Sequence, residues 1–358
     1  MENRIITLSA MLPEHSDAAI IISEENRRYF TGFVSSLGYL LVTRKNAFLL
    51  VDSRYEEAAG KQAKNCQVVP FRKLRDELSD IVRSEGLHSV LAEGSAFTLN
   101  EAEVMEGILN SAGVGFIKSS ELDKLIERMR ITKTSDETEK IRQAQSIAES
   151  ALRQTVRLIK EGVSEKELAL ELEYRMRRYG ADGVSFDLIV LTGEATSMPH
   201  GVPSDKRVKN GDFILFDIGA TVEGYHSDMT RTFAFGAADS TMKRIYQTVL
   251  TAQKNAISVI RSGVSCGLVD SAAREYISHA GFQDCFGHST GHGVGLNIHE
   301  APSVSPGSSV ELQSGMVVTV EPGIYLPGKC GVRIEDMVVV TKEGCINLTN
   351  YPKELTIL

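Results

Sequence analysis

The sequence predicts an α+β fold in which an α/β domain precedes a domain of helices packed on a largely antiparallel sheet. At about 150 residues per domain, a chain of 358 residues corresponds to roughly two domains. Short apolar runs alternate with amphipathic helical patterns up to about residue 125, and longer helices and alternating strands follow. The charged stretch RMRITKTSDE at 128–137 separates the two parts. We therefore predict domains at residues 1–129 and 130–358.

Two capping boxes mark the first helices of the second domain. Thr134 with Glu137 opens one helix, and Ser164 with Glu167 opens the next. Behind the first box, apolar residues recur at helical spacing until Gly162 provides a stop. Two more helices are predicted at about 241–261 and 266–280. Strands are predicted in FDLIVLTG from 186, FILFDIGA from 213, MVVTVEPGIY from 316 and VRIEDMVVV from 332.

Composition and charge are those of an ordinary globular protein. Lys plus Arg number 39 against 47 Asp plus Glu, a formal net charge of −8, so we expect no nucleic-acid partner. No apolar stretch reaches the roughly 18–20 residues that span a bilayer, so we expect no membrane association. The N-terminal MENRIITLSAML lacks a convincing cleavage site, and the five cysteines are widely spaced without a C-x-x-C pair. We therefore predict a cytoplasmic protein.

Two acidic residues flank a predicted turn in the second domain. Asp217 stands in the apolar strand FILFDIGA, and Asp228 follows the VEG turn at 222–224. The two are symmetric about that turn, so a regular hairpin would make them cross-strand neighbours with Cβ atoms roughly 5 Å apart. Because like charges so close repel, either one carboxyl holds a proton or a cation lies between them.

A second hairpin repeats this arrangement. Glu321 ends the strand MVVTVE, the turn PGKCG spans 327–331, and Glu335 follows in VRIED. The midpoint of the two glutamates is Gly328, so this pair should also face across its turn. A hydrophobic strand gains nothing from a lone buried carboxylate. Two such pairs therefore predict a metal site rather than four unrelated acids.

An imidazole between the two hairpins completes the predicted ligand set. His292 lies in GHSTGHGVGLNIHE between Gly291 and Gly293, whose small size lets another backbone approach closely. This segment lacks the strand, helix and distal acid of a dinucleotide-binding loop, which disfavours that alternative. Four carboxylates and one imidazole favour Mn²⁺, with Co²⁺ or Zn²⁺ as alternatives. Bridging carboxylates can hold two ions about 4 Å apart that share a hydroxide, which predicts hydrolytic chemistry.

With these residues the sequence resembles the pita-bread metallopeptidase family, which includes methionine aminopeptidase, aminopeptidase P and prolidase. The resemblance covers most of residues 130–358. The matching motifs are SMPHG at 197–201, FDIGA at 216–220, SDMTRTF at 227–233, GHSTGHGVGLNIHE at 287–300, VEPGIY at 320–325 and GVRIED at 331–336. The resemblance implies a pita-bread catalytic domain with two divalent metal ions per subunit, held by Asp217, Asp228, His292, Glu321 and Glu335.

The N-terminal half more weakly resembles the creatinase-like domain of Xaa-Pro peptidases, through RRYFTGF at 27–33 and VDSRY at 51–55. A methionine aminopeptidase usually lacks this domain. The resemblance therefore implies an Xaa-Pro aminopeptidase (aminopeptidase P), with the Xaa-Pro dipeptidase prolidase as the close second. The implied substrate is a peptide with proline at its second position. In this family the N-terminal domain of one subunit often completes the partner's site, so we expect a homodimer.

The resemblance also implies roles for side chains around the metals. Glu321 would be both a ligand and the group that takes the proton of the attacking water. His200 and His299 would donate hydrogen bonds to the substrate carbonyl and the developing oxyanion. His288 would line the pocket on the prolyl side. Arg333 would orient a carboxylate ligand or the far end of the substrate through its planar fork.

Other functions on the same fold are disfavoured by the intact ligand set. A metal-free binding module would have lost one or more of the five positions, and creatinase-type hydrolysis uses the two-domain plan without metal. The sequence does not separate aminopeptidase P from prolidase, because both activities need the same metals and histidines. Tyr325 and Glu300 lie beside the motifs and are expected to be pocket residues at most.

Overall fold

The computed structural model describes residues 3–358. Contacts within the chain define two compact units, Met1–Arg130 and Ile131–Leu358. The division lies one residue from the one proposed above. No helix among the described residues combines the length and apolarity needed to cross a membrane.

The first unit is an α/β layer. Its strands are β1 (Ala18–Ile21), β2 (Tyr39–Thr43), β3 (Ala47–Asp52), β4 (Gln67–Phe71), β5 (Ser89–Ala92) and β6 (Gly115–Ile117). Its helices are α1 (Arg4–Met11), α2 (Glu24–Thr31), α3 (Glu56–Gln62), α4 (Leu74–Ser84), α5 (Leu99–Ser111) and α6 (Glu121–Arg130). The strands form one mixed sheet in the order β4-β3-β2-β1-β5-β6. Its buried core joins Ile20 and Leu50 of the sheet to Leu78 of α4 and Leu109 of α5.

The second unit contains the four helices that the sequence predicts, although the first ends at Thr155, where a 3₁₀ turn (Val156–Leu158) follows, and does not extend to Gly162. They are α7 (Ser135–Thr155), α8 (Glu165–Arg178), α9 (Ser240–Val259) and α10 (Cys266–Ile277). Both capping boxes are confirmed, because the hydroxyls of Thr134 and Ser164 accept from the N–H three residues on and the glutamates there accept in return. The apolar face of α7, which includes Ile141 and Leu152, is fully buried.

The strands of the second unit form several small antiparallel sheets. They are β7 (Gly183–Val184), β8 (Ile189–Thr192), β9 (Phe213–Ile218), β10 (Ala220–Val222), β11 (Tyr225–His226), β12 (Met229–Ala234), β13 (Gly291–Gly293), β14 (Glu300–Val304), β15 (Val317–Val320), β16 (Gly323–Leu326), β17 (Cys330–Arg333), β18 (Asp336–Val340) and β19 (Cys345–Asn347). Their orders are β12-β9-β8, β14-β13-β15-β18-β19, β16-β17 and β11-β10-β7. Helices on antiparallel sheets confirm the predicted α+β class.

Candidate metal centre

The first acidic hairpin is offset from its predicted register. Asp217 on β9 pairs with Thr230 on β12, so Asp228 lies two residues short of the position opposite Asp217. The turn is centred on Glu223 and Gly224, which both have positive φ, and not on the midpoint of the two aspartates. A two-residue hairpin loop of this kind fits the twist of the strands. The two carboxylates are therefore diagonal neighbours instead of directly opposed residues.

The second acidic hairpin has the predicted register. Gly323 pairs with Arg333 in one ladder, and Val320 pairs with Asp336 in the next. Glu321 and Glu335 lie opposite each other in the gap between these ladders. Because neither residue belongs to a strand, both carboxylates lie where two small sheets separate.

His292 lies close to acids of both hairpins. Its Nε2 is 3.6 Å from Asp228 Oδ2 and 3.5 Å from Glu321 Oε1. The flanking glycines are required by close backbone packing. A Cβ on Gly291 would lie 2.0 Å from the Thr319 carbonyl oxygen, and one on Gly293 would lie 2.1 Å from that of Ala301.

All five residues predicted as ligands come together in the second unit. One ligand atom from each of Asp228, His292 and Glu335 lies within 4.8 Å of the others. Glu321 joins this cluster through its contact with His292. Asp217 is linked to it through Arg333, whose Nη2 lies 2.6 Å from Asp217 Oδ2.

Burial and mutual repulsion shift the pKa values of groups in this cluster. Burial, followed by repulsion from Glu335 and Asp217, raises the pKa of Asp228 well above its usual value. Burial also raises the pKa of Glu321 to about 8, although Arg333 opposes this shift. Burial lowers the pKa of His292 to about 4. Without a bound cation, this environment thus favours protonated carboxyl groups on Asp228 and Glu321 and a neutral imidazole on His292.

Two carboxylate oxygens of the cluster also lack partners. Asp217 Oδ1 and Glu335 Oε1 are buried, and neither accepts a hydrogen bond from the described residues. A buried acceptor without a partner costs about 1–3 kcal/mol. Oxygen-rich ligands with free lone pairs and a neutral imidazole are the donors that divalent first-row ions bind. The residues present therefore fit a divalent metal centre.

Arg333 holds one side of the cluster together. Besides contacting Asp217, its Nη1 donates to the Tyr325 hydroxyl at 2.7 Å and its Nε donates to the Thr230 hydroxyl at 3.1 Å. The Thr230 hydroxyl in turn donates to Glu335 Oε2 at 2.7 Å. One guanidinium thus connects an acid of each hairpin.

The three other predicted histidines lie around this cluster in different surroundings. The Nε2 of His288 lies 2.8 Å from the Tyr325 hydroxyl, and its Nδ1 lies 2.8 Å from the Ser289 carbonyl oxygen. Burial, followed by Arg333, lowers the pKa of His288 to about 4. His299 is exposed, and its ring centroid lies 4.5 Å from that of His292.

His200 lies in an exposed loop that is connected to the cluster through the backbone. The loop follows the 3₁₀ turn Gly193–Ser197. Its Pro199 carbonyl lies 3.5 Å from Arg333 Nη1, and the Gly331 N–H donates to the Thr196 hydroxyl at 2.8 Å. His200 is close enough to His288 to help lower that residue's pKa.

Sequence reasoning missed the hydroxyl groups that orient the acids. Thr230 donates to Glu335, and the Thr319 hydroxyl lies 3.4 Å from Glu321 Oε1 and accepts from the His292 N–H at 3.0 Å. Both threonines lie on strands next to predicted ligands, at positions where β-branched residues are common. Their spacing alone gave no signal that they contact the acids.

Both parts of the chain match known protein families. A profile of metallopeptidase family M24 matches residues 139–342, and a profile of the creatinase/prolidase N-terminal domain matches residues 7–132. The chain therefore belongs to metallopeptidase family M24. The predicted creatinase-like domain followed by a pita-bread catalytic domain is confirmed, and so is the prediction of a metallopeptidase.

Relatives of similar length extend over nearly the whole chain. The Xaa-Pro dipeptidase of Pyrococcus furiosus is 39% identical over 358 residues, which cover 99% of this chain and 100% of the relative. The solved structure of an Xaa-Pro dipeptidase from Bacillus anthracis has a TM-score of 0.95 at 39% identity and covers 99% of both chains. An X-Pro aminopeptidase from Thermotoga maritima MSB8 has a TM-score of 0.90 at 37% identity and covers 96% of this chain and 98% of its own.

Proposed function

We propose that this protein is a metal-dependent Xaa-Pro dipeptidase, which hydrolyses the bond between the first residue and proline in a dipeptide. The observation that carries the proposal is the buried cluster of four acids and one imidazole, which fits divalent cations. The sequence alone favours aminopeptidase P. The names of the relatives favour the dipeptidase instead. Aminopeptidase P stays the second candidate, because the T. maritima X-Pro aminopeptidase is nearly as similar.

Five side chains would hold two ions, most suitably Mn²⁺. These are Asp217, Asp228, His292, Glu321 and Glu335. When bound, the ions polarise the scissile carbonyl and lower the pKa of bound water. Glu321 would take the proton of the attacking water at a carboxylate oxygen, because this carboxylate lies within the cluster, 3.5 Å from His292 Nε2.

The surrounding residues would bind and orient the substrate. His299 is exposed beside His292, so its ring can donate a hydrogen bond to a carbonyl or oxyanion at the cluster. His200 would bind substrate from its exposed loop. His288 would face the proline ring, although both of its ring nitrogens already have partners in the protein. Arg333 would fix the position of Asp217.

A peptide assay with restored metal tests this function. Protein stripped of metal is resupplied with Mn²⁺, and amino-acid release is measured from Xaa-Pro and from Xaa-Pro-Yaa. The proposal expects metal-dependent cleavage of the dipeptide and little cleavage of the tripeptide. Comparable cleavage of the tripeptide would instead identify aminopeptidase P. If neither peptide is cleaved, the proposed Xaa-Pro specificity is refuted.

Two aspartate variants serve as a matched pair in this assay. Asp228→Asn changes a buried residue of the cluster, and we expect it to abolish cleavage. Asp205→Asn changes an aspartate whose side chain is 85% exposed and pairs with Lys166, and we expect wild-type cleavage. We also propose that the protein is cytoplasmic and forms a homodimer. Sedimentation of the same preparation would test the homodimer.

A further inference from the structure

A buried ion pair links the start of the catalytic unit to the loop that carries His299. The Nζ of Lys133 lies 3.1 Å from Glu300 Oε2, and the two side chains are only 2% and 8% exposed. Glu300 directly follows His299 in the sequence. Removing two charges from water costs several kcal/mol per ion, so such a pair is weak support for stability and calls for another explanation.

The backbone of Lys133 is fixed by hydrogen bonding and close packing. Its N–H donates to the Gly315 carbonyl oxygen at 2.9 Å, and its Nζ also lies 3.4 Å from the Ile131 carbonyl oxygen. Gly315 has a φ of +91°, and a Cβ there would lie 2.7 Å from Thr132 Cγ2. The ammonium group therefore extends from a tightly packed segment and forms a fixed anchor.

Glu300 in turn holds the loop at residues 294–299. Its Oε1 accepts from the Asn297 N–H at 3.0 Å. The carboxylate lies so close over Gly295 that a Cβ there would be 2.6 Å from Oε2. Gly293 pairs with Glu300 at the base of the loop. The side chain thus spans the loop from its base to its tip.

His299 is the side chain that this loop presents to the metal cluster. Its ring meets the ring of His292 edge to face, with the centroids 4.5 Å apart. His299 itself is exposed, so its own packing gives it little restraint. Its position therefore depends on the backbone of the loop that Glu300 holds.

We propose that Lys133 is a positioning residue, which acts through Glu300 to fix the loop at residues 294–299 and hence the placement of His299. The inference rests on the proposed function in one respect, the role of His299 toward substrate. Its structural part, that the ion pair restrains the loop, is independent of the substrate.

Hydrogen exchange followed by mass spectrometry tests the restraint without any substrate. Lys133→Met removes the ammonium group, and Lys133→Met combined with Glu300→Gln also removes the charge of the buried carboxylate if the single variant folds poorly. Ile141→Val is the control, because it weakens the core of α7 without touching the loop. We expect faster exchange in the peptide covering 294–300 for both Lys133 variants only. Wild-type exchange in that peptide would overturn the proposal.

A double-mutant cycle with His299→Ala tests the link to catalysis. We expect Lys133→Met to lower kcat for Xaa-Pro by about tenfold, with KM and Mn²⁺ affinity within about twofold of wild type. In the His299→Ala background the same change should lower kcat by less than about twofold, because the group it positions is gone. Equal losses in both backgrounds would overturn the positioning role. A wild-type protein that cleaves no Xaa-Pro peptide would refute the proposed function, while hydrogen exchange would still decide the restraint.

Discussion

The guanidinium of Arg333 and the carboxylate of Asp217 lie 2.6 Å apart, with their side chains 3% and 14% exposed. Arg333 also donates to Tyr325 and Thr230, so its planar fork is used in three directions. Because the acids of the cluster repel one another, the guanidinium stabilises the cluster whether or not metal is bound. The pair thus fixes one predicted ligand independently of the ions.

Arg333→Lys should therefore be less stable than wild type, although lysine keeps the positive charge. A lysine cannot reproduce the three directions of the fork, and Tyr325 or Thr230 would lose its donor. We expect the free energy of unfolding to fall by about 1–3 kcal/mol in urea titrations. Arg261→Lys at an exposed loop position is the matched control and should unfold like wild type. Equal stability of the two variants would show that the fork is dispensable.

Thr230→Val should weaken metal binding while leaving the five proposed ligands in place. The hydroxyl of Thr230 orients Glu335, and loss of such an outer partner typically costs about 10–100-fold in metal affinity. Calorimetric titration with Mn²⁺ measures this affinity. Thr248→Val is the control, because its hydroxyl donates to the Arg244 carbonyl oxygen within α9 and contacts none of the acids among the described residues. Unchanged affinity in Thr230→Val would refute the orienting role.

Local signals predicted much of the fold. The capping boxes at Thr134 and Ser164 formed as expected, because each depends only on residues three apart. The register about Gly328 was also confirmed, because its turn contains a glycine with positive φ. The other hairpin was offset by two residues, since a glutamate, Glu223, adopts a positive φ that is uncommon outside glycine.

The sequence predicted the acids of the candidate site but not the residues that contact them. Acids within apolar strands stand out in one sequence, because burial of a charge requires a reason. The contacts of Thr230 with Glu335 and of Lys133 with Glu300 join residues more than 100 positions apart. Their residue types are ordinary at those positions, so only the folded chain shows these pairs.

The metal-free protein should lose stability as pH rises from 6.5 to 8. The pKa of Glu321 is raised from 4.5 to about 8, so the folded state keeps a proton that the unfolded state has lost. The pKa of His292 is lowered from 6.5 to about 4, which makes stability rise with pH only below 6.5. Between 6.5 and 8 the raised pKa of Glu321 therefore dominates over that of His292, and the raised pKa of Asp228 acts in the same direction, so stability should fall.

Thermal denaturation at several pH values checks this expectation. Protein treated with chelator should melt at a lower temperature at pH 8 than at pH 6.5, and Glu321→Gln should flatten the dependence. Added Mn²⁺ should also flatten it, because bound metal keeps the carboxylate ionised. A melting temperature of the metal-free protein that rises across this interval would contradict the assigned pKa direction.

Asp270→Asn should disturb the placement of His288. Buried Asp270 accepts from the Thr290 hydroxyl and pairs with Arg274, whose Nη2 donates to the His288 carbonyl oxygen at 2.8 Å. We expect KM for Xaa-Pro to rise about tenfold, with Mn²⁺ affinity unchanged. Glu171→Gln, which breaks the similarly spaced pair with Arg175 on α8, should leave KM unchanged. An unchanged KM in Asp270→Asn would show that Asp270 on α10 does not influence substrate binding.

The most direct measurement is the number of metal ions that each chain retains. Wild-type protein and Glu335→Gln are equilibrated with Mn²⁺, separated from free metal and analysed by elemental mass spectrometry. The two-metal arrangement predicts two Mn²⁺ per wild-type chain, and fewer in the variant together with lost peptidase activity. A wild-type chain that retains no metal, or a variant that retains as much as wild type, would contradict the metal centre.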